Sequence, residues 1–165
     1  MSFFFCPFKK ILLKLIDVVV GAMIHRPIVS EANNNNRQVL ADAYNRMGDC
    51  NFYVRNFDSA RQSYQKAEQV DPSLADYSLY QEGFVKGLQR DYNGKIQALN
   101  QLIMNYPQSQ YIDDALYEQG RAFVQLEDNV NAIERFKLLV KNFPQSHMAR
   151  RAANEVGLLY YQDDK

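Results

Sequence analysis

From residue 39 to the end of the chain, apolar side chains return every three or four positions, the spacing of one buried face on a helix. Short polar breaks interrupt the pattern at Arg55-Asn56, Asp91-Tyr92-Asn93 and Glu127-Asp128-Asn129. Each break divides one unit into two stretches of helical length, so the pattern predicts pairs of amphipathic helices. Pro72, Pro107 and Pro144 close the pairs, because proline cannot continue a helix. Ser73, Ser109 and Ser146 follow, where N-caps of the next helices are expected.

The pairs repeat. Gly48, Gly83, Gly120 and Gly157 are spaced by 35, 37 and 37 residues, and each of the three prolines lies 24 residues behind its glycine. Twelve residues after each glycine stand Ala60, Lys95 and Ala132, then Tyr64, Leu99 and Phe136, then Ala67, Leu102 and Leu139. The loops Asn105-Tyr106-Pro107-Gln108-Ser109 and Asn142-Phe143-Pro144-Gln145-Ser146 are near copies. Repetition at this length implies stacked supersecondary units, since one hairpin cannot bury its apolar face alone. The expected fold is therefore all-α, a solenoid of antiparallel helical hairpins. Its units run over about 41–74, 76–109 and 113–146, with a partial fourth at 147–165, in a domain spanning 39–165. Glycine on each first helix and the small residue on each second are expected to let the two helices approach closely.

These residues resemble the tetratricopeptide repeat family, whose pattern sets a small residue at position 8, alanine at 20, an aromatic at 24, alanine at 27 and proline at 32. Gly48, Ala60, Tyr64, Ala67 and Pro72 match it throughout. The second unit departs at Lys95, Leu99 and Leu102, and the third keeps Ala132 and Phe136 but has Leu139. The lengthened units with Asn-Phe-Pro-Gln-Ser loops look like repeats of bacterial cell-envelope proteins, including Tol-Pal-associated coordinators and outer-membrane assembly lipoproteins. That resemblance implies a periplasmic or envelope location, or a cytoplasmic one if residues 1–28 are not an export signal.

The resemblance also implies a protein or peptide partner held in a concave groove lined by first helices. Its side chains recur six before, three before, one after and four after the glycine. They are Asp42, Asn45, Asp49 and Phe52; Tyr77, Tyr80, Phe84 and Gly87; Asp114, Tyr117, Arg121 and Val124; and Arg151, Asn154, Leu158 and Tyr161. This face runs from acidic through aromatic to mixed with arginine, which suits an extended peptide. The same aromatic stripe also describes packing between adjacent first helices. Chaperone-binding members clamp a terminal carboxylate with Lys and Asn, a role that Asp42 and Asp49 would oppose by repulsion. The rival readings are a structural segment of a longer envelope array and a regulatory domain of an enzyme complex.

Composition narrows the chemistry. Nineteen Lys and Arg balance nineteen Asp and Glu, so no global charge draws the chain to nucleic acid. Cys6, Cys50, His25 and His147 lie too far apart to suggest a metal spacing or a nucleophile with its base, and no Gly-rich phosphate loop is present. No catalytic residue, cofactor or metal is expected. Cys50 reads as a small filler and His147 as a surface side chain.

Residues 1–38 form a different segment, apolar up to about 28 and ending in the run Asn33 to Asn36, a polar linker or helix start. Its longest apolar stretch, Ile11 to Ile24, carries Lys14 and Asp17 and falls short of the ~18–20 residues a bilayer requires. An export signal, an interfacial helix and a helix covering the first repeat remain open, the last favoured by weak basic content. At the other end, a fourth first helix without its second helix leaves Leu158, Leu159 and Tyr161 on faces other than that of Ala149, Ala152, Ala153, Val156 and Tyr160, which predicts either the front part of a longer repeat protein or self-association there.

Overall fold

A computed structural model of the chain describes residues 34–163. The expected cover or signal in residues 1–28 lies outside the described residues. The described residues form α-helices and one short 3-10 turn, with no strand among them. The helices are α1 (Asn34–Tyr53), α2 (Phe57–Val70), α3 (Asp76–Leu88), α4 (Tyr92–Asn105), α5 (Ile112–Gln125), α6 (Asn129–Asn142) and α7 (His147–Asp163), with the turn at Pro72–Leu74. Each helix packs on the one before it, and α1, α3, α5 and α7 also touch in succession. This is an all-α solenoid of three hairpins followed by one helix. The helix α1 begins at Asn34, so most of the asparagine run is helical.

The turn inside each hairpin is the same device three times. Arg55, Arg90 and Glu127 adopt φ of 61°, 62° and 60°, the left-handed conformation that closes a helix. The next residue reaches back five positions with its N–H: Asn56 to the Asn51 carbonyl, Asp91 to Lys86 and Asp128 to Phe123, each at 2.9 Å. That same residue then caps the following helix, its side chain accepting from the N–H of Ser59, Gly94 or Asn131. One residue thus ends one helix and starts the next, which holds the hairpin to a three-residue break.

Tight approach within a hairpin is set at the first-helix glycine. A Cβ at Gly48 would lie 2.4 Å from the Tyr64 ring, and one at Gly120 would lie 2.4 Å from the Phe136 ring. At Gly83 the neighbour is Leu99 at 3.0 Å. The glycine is a seat for the large residue sixteen positions on, and at Gly83 the backbone carbonyl of Lys95, twelve on, also lies 3.6 Å away. Tyr64, Leu99 and Phe136 are fully buried as a result.

Between units, the near-copy loops act as latches. Ser109 and Ser146 each close a turn onto the carbonyl of the aromatic residue before the proline, at 2.9 Å. The Ser109 hydroxyl donates to Asp76 of the preceding first helix at 2.7 Å and accepts from the Tyr111 N–H at 3.2 Å. Ser146 repeats this with Asp113 and the Met148 N–H. Of the three serines expected as N-caps, only Ser146 directly precedes its helix. The residues before α3 and α5 are Ala75 and Tyr111, neither making a side-chain cap bond, and Ser73 lies in the 3-10 turn beneath Asp71. The inserted turn residues displace those two caps.

The helix α7 buries Ala149, Ala152 and Leu159. The face is rotated from the expected one: Ala153 is exposed, and so are Tyr160, Leu158 and Tyr161. Spacing alone allowed either Leu159 or Tyr160 inside, and the larger ring has no glycine seat to enter.

Candidate partner-binding face

The first-helix face is best built outward from α1. Asp42 is exposed and paired with Arg46 at 3.4 Å. Asn45 is buried and accepts from the Ser78 hydroxyl at 2.9 Å. Asp49 accepts two phenolic hydroxyls, from Tyr64 at 3.0 Å and from Tyr77 at 2.7 Å. Burial first, and Asp49 next, push both phenols above the ordinary tyrosine range, so they remain donors. Phe52 packs against Phe57 and across to Phe84 of the second unit.

On α3, Tyr77 meets the Tyr64 ring edge-on and tilts against Tyr111, while Tyr80 stacks on Tyr111 at 5.3 Å and 14° between planes. Tyr111 sits just before α5, in the loop and outside the offsets that recur from the glycines. On α5, Asp114 is half-buried, its carboxyl pushed up by burial and then by Asp113, against the opposing pull of His147 and Arg151. Tyr117 is only 2% exposed and stands in the core. Its ring tilts on Phe136, carries the Arg151 guanidinium 4.7 Å above it, and its hydroxyl donates to Glu155 at 3.3 Å. Arg121 is exposed beside Glu118 at 3.5 Å.

The structure thus places Asp49, Phe52, Tyr77, Tyr80 and Phe84 half-buried across the first two units, Phe52 against Phe84, and Tyr77 and Tyr80 against Tyr111. It places Asn45 and Tyr117 inside, and spreads Asp42, Arg121, Arg151, Asn154, Leu158 and Tyr161 over the exposed remainder. Much of the stripe is packing between first helices, and the same rings present edges to solvent.

The departure at Lys95 proves to be a second feature of this face. Lys95 is buried, its stem lies against Gly87, and its ammonium pairs with Glu118 of the next unit. A Cβ at Gly87 would fall 2.9 Å from Lys95 Cδ, so the glycine at the fourth groove offset is the passage for this lysine. The sequence signals are Lys where the other units have alanine, and Gly where they have Phe52 and Val124; only the fold joins them to Glu118.

Comparison with known proteins adds a likeness over part of the chain and in the fold. Residues 114–146 match the family described as Tetratricopeptide repeat. No curated protein matches the chain. Among solved structures, the N-terminal domain of stress-induced protein-1 from C. elegans is 19% identical, with a TM-score of 0.65 over 76% of this chain and 98% of that one. A tetratricopeptide repeat protein from Parabacteroides merdae is 19% identical, with a TM-score of 0.68 over 94% of this chain and 56% of that one. The TPR2AB domain of yeast Sti1, described as a complex with pHSP90, is 20% identical, with a TM-score of 0.63 over 76% of this chain and 50% of that one. These likenesses establish a tetratricopeptide-type fold.

Proposed function

We propose that this chain is a protein–protein interaction module that binds an extended peptide or protein segment across the face of α1, α3, α5 and α7. The observation that carries the reading is two groups of half-exposed rings, Phe52 with Phe84 across the first and second units and Tyr77 and Tyr80 with Tyr111 across the second and third, with the buried Tyr64 cluster beneath both Phe52 and Tyr77. Contiguous aromatic surface with polar tips marks a binding face where scattered rings do not. Asp42, Asp49, Asp114, Arg121 and Arg151 supply its charged margin, with Asn45 and Tyr117 supporting from beneath. The role is non-catalytic and needs no cofactor. The helical array, which begins within α1 at Asn34 and so includes the end of the segment expected over 1–38, acts as the binding domain, and the envelope-type loops favour a bacterial periplasmic setting. No described helix is long and apolar enough to cross a membrane.

Truncating Tyr80 tests the reading. Tyr80→Ala is expected to weaken binding to a cognate peptide by roughly tenfold or more while the helical circular dichroism signal stays intact. Loss of fold stability without selective loss of binding would assign the ring to packing alone.

A second reading, self-association through α7, is favoured by Gly157, which has nothing within 4 Å, beside Leu158 at 57% exposure. Light scattering over a concentration series tests it: mass should rise with concentration, and Leu158→Lys should abolish the rise.

A further inference from the structure

Where the first-helix face meets the α3–α4 turn there is a cleft of about 220 Å³, whose walls include Phe84, Gly87, Lys95, Glu118 and Arg121. Resting on the peptide-binding reading, we propose that this cleft seats the carboxylate of an aspartate or glutamate side chain within the bound peptide. Lys95 occupies the position where the other two hairpins bury Ala60 and Ala132, and it reaches the cleft through the gap at Gly87. An ammonium has three donors, and Glu118 takes one of them. Arg121 touches the same carboxylate at 3.5 Å with its side chain 56% exposed, so most of its donor fork faces solvent. Two cations therefore share one carboxylate, and the cleft carries a net charge of about +1.

That balance selects a monoanion. A carboxylate neutralises the cleft, whereas a phosphate of charge about −2 leaves it negative. The Phe84 ring beside Lys95 and the exposed Leu88 offer an apolar flank to the methylenes of an acidic side chain. The other polar groups at the heart of this face already have partners: Asp49 holds two hydroxyls, Asn45 holds Ser78, and Tyr117 lies between Arg151 and Glu155. The cleft is where the face keeps donors unspent, and it reads a side chain with no need of a chain terminus.

An array of eight-residue peptides, acetylated and amidated so that neither end is charged, tests this with the whole chain as probe. Wild type should select Asp or Glu over Asn or Gln at one position by roughly tenfold or more, as a charge-assisted hydrogen bond gives. Arg121→Gln should remove that preference, so that Asp or Glu peptides bind no better than their Asn or Gln counterparts. Lys95→Met alone would strand Glu118, so the pair Lys95→Met with Glu118→Gln is the second variant, read only if its circular dichroism matches wild type. Peptides bound without acidic preference, a preference for phosphoserine over Glu, or a preference that survives Arg121→Gln would each overturn the assignment and leave the binding module standing. No peptide bound by wild type would overturn both.

Discussion

At Gly120 and Gly48 a single hydrogen-for-methyl change decides whether a ring fits, and at Gly157 it decides nothing. Gly120→Ala gains up to about 1 kcal/mol of helix propensity but forces the buried Phe136 ring aside, which costs about 1–3 kcal/mol. Gly157→Ala meets open space and keeps only the gain. Thermal denaturation should therefore show Gly120→Ala melting below wild type and Gly157→Ala above it; the same sign for both would refute the seat. The turn residues behave inversely. Glu127 holds a conformation that costs a non-glycine residue about 1–2 kcal/mol, so Glu127→Gly is expected to stabilise by up to about 1 kcal/mol after the entropy of the unfolded chain is counted, measurable by urea titration. The glycine period and the large residues sixteen further on are visible in the sequence, because a seat and its ring recur together. The left-handed turn is not, because Arg55, Arg90 and Glu127 carry none of the glycine that normally announces it.

Helices are joined across units by a few shared oxygens. Asp49 holds α1 to α2 through Tyr64 and to α3 through Tyr77, so Asp49→Ala should cost about 2 kcal/mol by leaving two phenols without their acceptor. Tyr64→Phe in the same background should add little, which a double-mutant cycle measures. Asp114 acts in the opposite sense. Burial and Asp113 raise its carboxyl, so the folded protein binds that proton more tightly than the unfolded chain does. Its contribution is present below the ordinary value of 3.8 and is lost as pH rises through the raised value. Asp114→Asn should accordingly raise the melting temperature at pH 7, with the difference closing as pH falls below 3.8. The aromatic face was legible as a stripe at helical spacing, yet spacing could not separate Tyr117 from Tyr80. Arg151 and Glu155, one unit away, close over Tyr117, whereas Tyr80 has only Tyr111 stacked on it.

Over the whole molecule, stability is a sum of hairpins and the interfaces between neighbours. The helices α3 to α6 each have packed neighbours on both sides along the array, while α7 rests on α5 and α6 with its seat at Gly157 empty among the described residues. In such a one-dimensional system an end element is released at the loss of one interface, whereas a central one opens only when two are lost together. Amide hydrogen exchange should reveal this as a gradient of opening free energies. Amides of α7 should exchange through local release at rates nearly independent of denaturant, and those of α4 and α5 only through the cooperative unfolding of the array. A ligand that filled the empty seat would flatten the gradient from that end alone, which makes exchange at α7 a sensor of occupancy that needs no label on the partner.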